Sequence, residues 1–324
     1  MKEISVKDIK NITIGQTEDE AAGTGCTVLV GRNGMRAGLD IRGGGPASRE
    51  AALLDPLMSA ETIHAVVLSG GSAFGLGAAD GVMQLLEERG IGFQVGEHRV
   101  PLVVQSDIFD LTVGDGKVRP DKAMGYQAAL RALDAPNYRD GNYGAGCGAT
   151  VGKMAGMERC MKTGIGSYAV RIGELEIGAV VVLNAVGDVF DHSTHRKIAG
   201  MLTPDKTAFA DTTELIVQNI VPQETKPVTN TTIGAVLTNA AFEKSKLCKI
   251  AGMAHDGYAR CIEPVHTSMD GDSIYALSLG EVRADIDAVG TIAARVMSEA
   301  IKRAVYSAET AYGHVSAKEF RGSK

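Results

Sequence analysis

The sequence is poor in aromatic residues. It contains no tryptophan, and aromatic side chains occupy only 5% of its 324 positions. Glycine is abundant instead, since its 40 residues make up about 12% of the chain against a usual value of about 7%. Such a chain must pack its backbone segments closely or turn them sharply.

Charge and hydrophobic patterning exclude two classes of partner. Thirty-three basic and 39 acidic side chains give a net charge of −6, and no cluster of Lys and Arg is present to neutralise a nucleic-acid backbone. The longest apolar-rich stretch, residues 177–183, is too short to cross a bilayer, and the first residues lack the apolar core of a signal peptide. We therefore expect a cytoplasmic protein that binds neither nucleic acid nor membranes.

The cysteines do not form a recognisable framework. They are odd in number and contain no Cys-x-x-Cys pair, so they indicate neither disulfides nor a zinc site. The five are Cys26, Cys147, Cys160, Cys248 and Cys261. We expect free, mostly buried thiols, and we expect neither a metal nor a cofactor.

The chain has no internal repeat and no Pro- or Ser-rich linker, which favours one layered domain over residues 1–324. Several strand-like runs are apolar on both faces, as in strands that are covered on both sides. The runs cover residues 26–30, 37–41, 64–68, 102–104, 167–172, 177–183, 232–237 and 273–279, and helical patterns cover 76–86, 122–133, 242–260 and 286–304. Because strands and helices occur in mixed order, the sequence predicts a layered α+β fold and not a doubly wound sheet.

The glycine-rich run at 144–156 matches neither common phosphate-binding motif. A P-loop requires glycine where Cys147 stands, and Ser or Thr where Met154 follows Lys153. A dinucleotide-binding motif requires a preceding strand, whereas residues 137–143 have the composition of a turn. Close approach of the backbone to a buried site or a substrate is the better interpretation. Cys147 itself is either a thiol nucleophile or, as we favour, a small packed residue.

Two short segments allow more than one interpretation. Ser69-Gly70-Gly71 ends a predicted strand and opens a helix, so its N–H groups either bind an anion or only form a tight turn. His192 and His195 have the spacing of a metal-binding pair, but no supporting Cys or Glu follows. A helix start capped within residues 191–194 is favoured there.

The most informative segment passes from a polar loop at 222–228 through Asn230 and Thr231 into an apolar strand. A threonine at the start of a strand is ordinary β-propensity. It also permits self-cleavage, in which a hydroxyl attacks the strained peptide bond before it and the resulting ester hydrolyses. The freed α-amine then lies beside the hydroxyl as its general base.

Five short motifs follow one another along the chain. They are Ser69-Gly-Gly-Ser-Ala-Phe-Gly-Leu76, Gly144-Ala-Gly-Cys-Gly-Ala-Thr150 with Lys153, Val181-Val-Leu-Asn184-Ala-Val-Gly-Asp188, Asn230-Thr-Thr-Ile-Gly234 and His266-Thr-Ser-Met-Asp270-Gly-Asp272. Together, over about residues 13–307, they resemble the DmpA-like self-processing aminopeptidases. That family includes L-aminopeptidase/D-amino-acid esterases, β-peptidyl aminopeptidases and nylon-oligomer hydrolases.

The resemblance implies a four-layer αββα sandwich like that of N-terminal nucleophile hydrolases. It also implies self-cleavage between Asn230 and Thr231, giving residues 1–230 and 231–324. The processed pair is expected to form a homo-oligomer.

The resemblance assigns roles to five residues. Thr231 is implied as the nucleophile, and its freed amine as the general base. The side-chain amide of Asn184 is implied as the donor that stabilises the oxyanion. Lys153, Asp270 and Asp272 match residues that hold the nucleophile and its amine in the nylon-hydrolase branch.

The glycine loops are expected to line the substrate pocket, through Ser69, Gly70, Gly71, Gly146, Cys147 and Gly148. Two departures from the family pattern are visible. Cys147 stands where Thr or Ser is expected, and neither Phe109 nor Tyr126 can be assigned as the family's active-site tyrosine.

The sequence therefore predicts a hydrolase that releases N-terminal residues from small peptides, amides or esters through an acyl-enzyme on Thr231. Two alternatives stay open. One is an acyltransferase of the ornithine acetyltransferase kind, which passes the acyl group to an amine. The other is an unprocessed protein that binds anions in its glycine loops.

Overall fold

The computed structural model describes residues 1–220 and 230–320, so the polar loop predicted at 222–228 lies outside the described residues. The α-helices of the described part are α1 (Ala78–Glu88), α2 (Lys122–Asp134), α3 (Thr212–Gln218), α4 (Lys244–Cys261) and α5 (Ile286–Ser307). The strands there are β1 (Lys2–Ile4), β2 (Thr13–Asp19), β3 (Thr24–Ile41), β4 (Ala47–Arg49), β5 (Ile63–Ser69), β6 (Phe93–Val95), β7 (His98–Val100), β8 (Val103–Asp107), β9 (Thr150–Val151), β10 (Met161–Lys162), β11 (Ile165–Ile172), β12 (Leu175–Val182), β13 (Asp188–Phe190), β14 (Lys197–Ala199), β15 (Ile233–Ala240), β16 (Ile262–Glu263) and β17 (Ser273–Val282).

The long strand β3 joins two halves of one continuous hydrogen-bonded sheet, whose order is β1-β11-β12-β15-β17-β3-β5-β8-β4 with β2 paired to β3. Residues 36–41 of β3 pair with β17, whereas residues 24–30 pair with β2 and β5. We call β1, β11, β12, β15, β17 and residues 36–41 of β3 sheet I. Sheet II comprises β2, β4, β5, β8 and residues 24–30 of β3.

The two sheets stack face to face between two layers of helices. Val180 and Leu237 of sheet I share one apolar cluster with Val66 of sheet II. Val181, the next residue after Val180, points to the opposite face, where α4 and α5 cover sheet I. Helices α1 and α2 cover the outer face of sheet II. The αββα order implied by the resemblance and the doubly covered strands predicted from the sequence pattern are both confirmed.

The four predicted helices are present as α1, α2, α4 and α5. The strands predicted separately at 26–30 and 37–41 are instead parts of the single strand β3. The residues between them include Gly31 and Gly34, the latter with φ +81°, and the pairing of β3 with β5 shifts between Val30 and Met35. The glycines therefore make an irregularity inside one strand and do not form a turn between two.

The helix start predicted within residues 191–194 is wrong. These residues form the turn between β13 and β14, in which the Asp191 carbonyl accepts the N–H groups of Thr194 and His195 at 3.2 and 2.8 Å. His192 lies 3.4 Å from Glu299, and His195 is exposed with φ +53°.

Strand β15 is central to sheet I and positions the candidate site. It runs antiparallel to β12 on one side and parallel to β17 on the other. Thr231 lies two residues before β15, and Asn230 forms a parallel β-bridge with Asp270 shortly before β17. No helix in residues 1–220 or 230–320 combines the length and apolar character needed to cross a membrane.

Candidate active site

The peptide between Asn230 and Thr231 lies deep in the protein. Asn230 is 1% exposed and Thr231 is 4% exposed. The Thr231 hydroxyl donates a hydrogen bond to the carbonyl of Asn230, the residue directly before it. The side-chain oxygen therefore lies beside the peptide group that the sequence predicts to be cleaved.

Neighbouring backbone groups hold both sides of this peptide. The Asn230 carbonyl accepts the N–H of Gly271 at 2.9 Å, and the Asn230 N–H donates to the Met269 carbonyl at 3.1 Å. On the other side, the Thr231 N–H donates to the Asn184 carbonyl at 3.0 Å. The peptide is thus fixed between the segment leading into β17 and the residue that follows β12 and Leu183.

Lys153 and Asn184 form a buried polar pair next to Thr231. Lys153 Nζ donates to the carbonyl of Asn184 at 3.0 Å and to its Oδ1 at 2.8 Å. The same Oδ1 accepts the Thr150 N–H at 3.1 Å, and Asn184 Nδ2 donates to the Phe109 carbonyl at 3.1 Å. Burial lowers the pKa of Lys153 to about 8. These bonds fix the orientation of the Asn184 amide.

The carboxyl group of Asp272 makes contacts with two segments of the site, the start of β15 and the loop at His266. Its Oδ1 accepts the N–H of Thr232, the residue after Thr231, at 2.8 Å. Its Oδ2 accepts the backbone N–H of His266 at 3.1 Å and lies 2.8 Å from His266 Nδ1. Three donors thus surround this buried carboxylate, which holds the start of β15 in place.

Asp270 has a different environment. Its Oδ2 accepts the N–H and the hydroxyl of Thr267 at 3.0 and 2.5 Å, while its Oδ1 has no hydrogen-bond partner among the described residues. Burial, together with the negative charge of Asp272, raises the pKa of Asp270 to about 6. A strongly perturbed carboxyl beside a candidate nucleophile is typical of functional sites.

The predicted pocket residues are buried in the uncleaved chain. Gly71 has φ +84° and its N–H donates to Asp110 Oδ1 at 2.7 Å, and the Gly70 N–H donates to the Gly25 carbonyl at 2.9 Å. An added Cβ at Gly148 would lie 2.8 Å from Asp110 Cβ, so Asp110 lies between the two glycine loops.

The segment Ser69-Gly70-Gly71 forms a tight strand-to-helix turn whose N–H groups already have acceptors. The N–H of Ser72 likewise donates to the Ile108 carbonyl at 3.0 Å. The carboxylate of Asp110 also lies where an anion would bind. Both observations disfavour the anion-binding alternative.

Cys147 is a packed residue, as favoured from the sequence. It is 1% exposed, its Sγ lies 3.3 Å from Tyr312 Oη, and burial raises the pKa of its thiol. A raised pKa opposes the thiolate form that a nucleophile needs. All five cysteines are free, as expected.

The sequence did not single out Gly271 or His266 as functional, although both lie in a quoted motif. The family's tyrosine also stays unassigned. Tyr126 lies on the exposed side of α2 and donates to Glu88 at 2.8 Å, and Phe109 contributes its carbonyl to Asn184. Among the described residues no tyrosine hydroxyl hydrogen-bonds to Thr231, and no group of three His, Cys, Asp or Glu side chains is arranged to hold a metal ion.

Comparison with known proteins gives concordant matches. The model of peptidase family S58 matches residues 5–318. An uncharacterized aminopeptidase of Mycobacterium leprae is 36% identical over 95% of this chain and 92% of that protein. A 6-aminohexanoate-oligomer endohydrolase of Kocuria sp. is 31% identical over 92% of this chain and 84% of that protein.

Solved structures agree on the fold. The L-aminopeptidase D-Ala-esterase/amidase of Ochrobactrum anthropi, described as a variant of the Ntn hydrolase fold, superimposes with a TM-score of 0.68. The superposition covers 97% of this chain and 90% of that chain, at 17% identity. The two proteins therefore share an architecture over nearly their whole length.

Proposed function

The chain belongs to peptidase family S58, a family of aminopeptidases and amide hydrolases, and we propose that it is a self-processing member whose nucleophile is Thr231. Its substrates are small peptides, amides or esters from which it releases the N-terminal residue. Self-cleavage between Asn230 and Thr231 comes first and leaves residues 1–230 and 231–324 as one folded unit. This unit assembles into a homo-oligomer, and its free thiols suit a reducing compartment such as the cytoplasm.

One observation carries the proposal. The Thr231 hydroxyl contacts the carbonyl of Asn230, while backbone groups hold the N–H and the carbonyl of the same peptide from opposite sides. Such preorganisation lowers the entropic part of the barrier to attack by a neighbouring group. An ordinary threonine at the start of a strand requires none of these contacts.

After cleavage, the Thr231 amine remains beside its own hydroxyl. The Asn184 carbonyl, which now accepts the Thr231 N–H, still accepts from the amine and orients its lone pair towards the hydroxyl. An α-amine has an ordinary pKa of about 7.7–8.0, which suits a general base near neutral pH. The amine takes the hydroxyl proton as the oxygen attacks the substrate carbonyl.

Asn184, held in place by Lys153, stabilises the negative charge that develops on the substrate oxygen. The Asn184 amide is a neutral donor. Lys153 holds the amide oxygen Oδ1 through one hydrogen bond and the main-chain carbonyl of Asn184 through another. Collapse of the intermediate releases the amine product and leaves an acyl group on Thr231. Water then hydrolyses this ester.

Access of substrate depends on maturation. In the uncleaved chain the Asn230 carbonyl occupies the position beside the nucleophile, and both residues are buried. Release of the chain end at residue 230 therefore has to precede turnover.

Denaturing mass spectrometry of freshly folded protein tests the proposal. Scaling 33.9 kDa by 230 and 94 of the 324 residues gives fragments of about 24 and about 10 kDa, the smaller beginning with Thr231. Thr231→Ala should leave a single chain, because it removes the attacking oxygen. Thr232→Ala is the matched control, since it removes the neighbouring threonine hydroxyl and should still give both fragments. Persistence of the full-length mass in the wild type after long incubation would show that the chain does not process itself.

Dependence on an acyl acceptor separates hydrolysis from acyl transfer. The proposed enzyme releases p-nitroaniline from an amino-acid p-nitroanilide in buffer alone. An acyltransferase of the alternative kind would require an added amine for the same release.

A further inference from the structure

The carbonyl of Asn230 already has a backbone donor in the uncleaved chain. The Gly271 N–H lies 2.9 Å from the Asn230 oxygen, within the parallel β-bridge between Asn230 and Asp270. A similar bond two residues further along runs from the Ser273 N–H to the Thr232 carbonyl at 3.1 Å. Of these two similar bonds, only the one from Gly271 reaches the carbonyl that Thr231 would attack.

In the uncleaved chain, the side-chain amide of Asn184, which we assign as the oxyanion donor for substrate turnover, binds other groups. Asn184 Nδ2 donates to the Phe109 carbonyl at 3.1 Å, and Asn184 Oδ1 accepts from Lys153 and Thr150. The amide is thus held at both ends by groups other than Asn230. Self-cleavage has a different donor within reach.

We propose that the backbone N–H of Gly271 is the oxyanion donor for self-cleavage, an inference that rests on the proposed function. As the bond from Thr231 Oγ to the Asn230 carbonyl carbon forms, the electron pair of the C=O bond moves to the oxygen. The Gly271 N–H, already aligned with that oxygen, stabilises the charge without reorganisation.

The remaining steps balance without a further reactant except water. Collapse of the intermediate breaks the bond between the carbonyl carbon and the Thr231 nitrogen, and the proton lost from the hydroxyl ends on that nitrogen. The product is an ester between Asn230 and Thr231 Oγ. Water hydrolyses it to the Asn230 carboxyl group and the free Thr231 hydroxyl.

The lack of a side chain at residue 271 makes this approach possible. A Cβ on Gly271 would lie 2.8 Å from Thr231 Oγ, 2.8 Å from the Gly45 carbonyl oxygen and 3.0 Å from Pro46 Cα. The φ angle of Gly271 lies outside the left-handed region, so space and not backbone conformation requires glycine here. Glycine lets the donor and the nucleophile approach the same carbonyl together.

The test removes this N–H from the full chain and leaves every side chain unchanged. Glycolic acid in place of Gly271 converts the amide between Asp270 and Gly271 into an ester, which has no N–H. The matched control places glyceric acid at Ser273, which deletes the similar bond to Thr232. Each variant loses one backbone hydrogen bond between the segments that lead into β15 and β17, so their melting temperatures should fall by similar amounts.

The half-time of self-cleavage, followed by denaturing mass spectrometry, is the readout. We expect the Gly271 ester to lengthen it on the order of 10²-fold, the usual effect of losing one preorganised oxyanion donor. The Ser273 ester should leave it close to the wild-type value. Equal half-times in the two esters would overturn the inference while leaving self-processing intact. A wild type that never cleaves would overturn the proposed function itself.

A second measurement does not depend on cleavage. In the full-length Thr231→Ala chain, a ¹³C label in the Asn230 carbonyl gives an infrared band whose frequency reports its hydrogen bonds. The Gly271 ester should move this band to higher wavenumber, and the Ser273 ester should not. A band unchanged by the Gly271 ester would show that the N–H does not bind this carbonyl.

Discussion

At the residue scale, the two aspartates of one short motif differ in their hydrogen-bond partners. Asp272 is surrounded by three donors, whereas Asp270 Oδ1 has none among the described residues. The pKa of Asp270 is raised to about 6 from an ordinary value of 3.8. Between these values the folded chain binds the proton more tightly than the unfolded chain, so this group lowers stability as the pH rises from about 4 to about 6.

Asp270→Asn should therefore stabilise the protein at neutral pH and impair it as an enzyme. The parent chain loses about 1.4 kcal/mol of stability per pH unit between the two pKa values, and the Asn variant does not. The gain in free energy of unfolding of Asp270→Asn over its parent should therefore be up to about 3 kcal/mol larger at pH 7 than at pH 4. Turnover should fall, because a neutral amide no longer favours the correct orientation of the Thr231 amine. Urea denaturation of Thr231→Ala chains and assays of the processed enzyme measure the two effects.

Asp140 offers a matched control for this prediction. Burial also raises its pKa, but it binds Tyr138 and Ser167 and is not part of the candidate site. Asp140→Asn should alter stability without altering turnover. If Asp270→Asn left turnover at the wild-type level, Asp270 would have no role in the reaction.

The sequence predicted the side chains of the site better than its backbone. The resemblance named Thr231, Asn184 and Lys153 together, and in the structure direct hydrogen bonds join them, while their roles stay predictions. The Gly271 N–H has no residue-type signature, because every residue except proline carries this donor. The link from His266 to Asp272 depends on a left-handed backbone at His266, φ +57°, which no residue pattern indicated.

At the scale of elements, Lys162 in β10 anchors the glycine loop. It is completely buried, and its Nζ donates to the carbonyls of Gly146 and Ala149 at 3.2 and 3.1 Å and also to that of Thr163. Burial lowers its pKa to about 7 from an ordinary 10.5. Three backbone acceptors thus match the three donors of one ammonium group.

The stability contributed by Lys162 should depend on pH in the opposite direction to that of Asp270. Between pH 7 and 10.5 the unfolded chain binds this proton more tightly, so deprotonation progressively relieves the cost of burial as the pH rises. We expect the free energy of unfolding of the wild type, relative to Lys162→Met, to increase from pH 7 to pH 9. Urea denaturation across this range measures it.

Lys246 lies on the exposed side of α4 and provides the matched control. The difference between the wild type and Lys246→Met should stay constant over the same range. A constant difference for Lys162→Met as well would show that Lys162 keeps its proton throughout.

Regular elements were predicted well because hydrophobic periodicity marks them, as in α4 and α5. The continuity of β3 was not predicted, because glycines inside a strand have the same composition as a turn. The turn at 191–194 was misread for a related reason, since Asp191 caps its turn as it would cap a helix. Only pairing with distant strands separates these possibilities.

At the scale of the whole molecule, assembly can be measured directly. Large apolar side chains such as Leu57, Phe74 and Phe93 are 88%, 61% and 60% exposed on the single chain. Since homo-oligomers usually have closed symmetry, we expect a particle of two or more copies. Light scattering of the processed protein at micromolar concentration should then give a mass of at least twice 33.9 kDa. The same measurement on Thr231→Ala shows whether assembly requires cleavage. A single particle of 33.9 kDa would contradict the prediction.

The order of sheet I gives the proposed cleavage a lasting consequence. Strands β15 and β17 both follow residue 231, yet they lie between β12 and β3, which precede it. After cleavage, the two fragments can separate only if the pairing of β12 with β15 and that of β17 with β3 are both broken. The folded state therefore remains one particle. Refolding, in contrast, changes from a unimolecular to a bimolecular reaction, whose yield depends on concentration. Dilute protein that loses its structure after maturation therefore cannot readily regain it, whereas the precursor still carries its two halves on one chain.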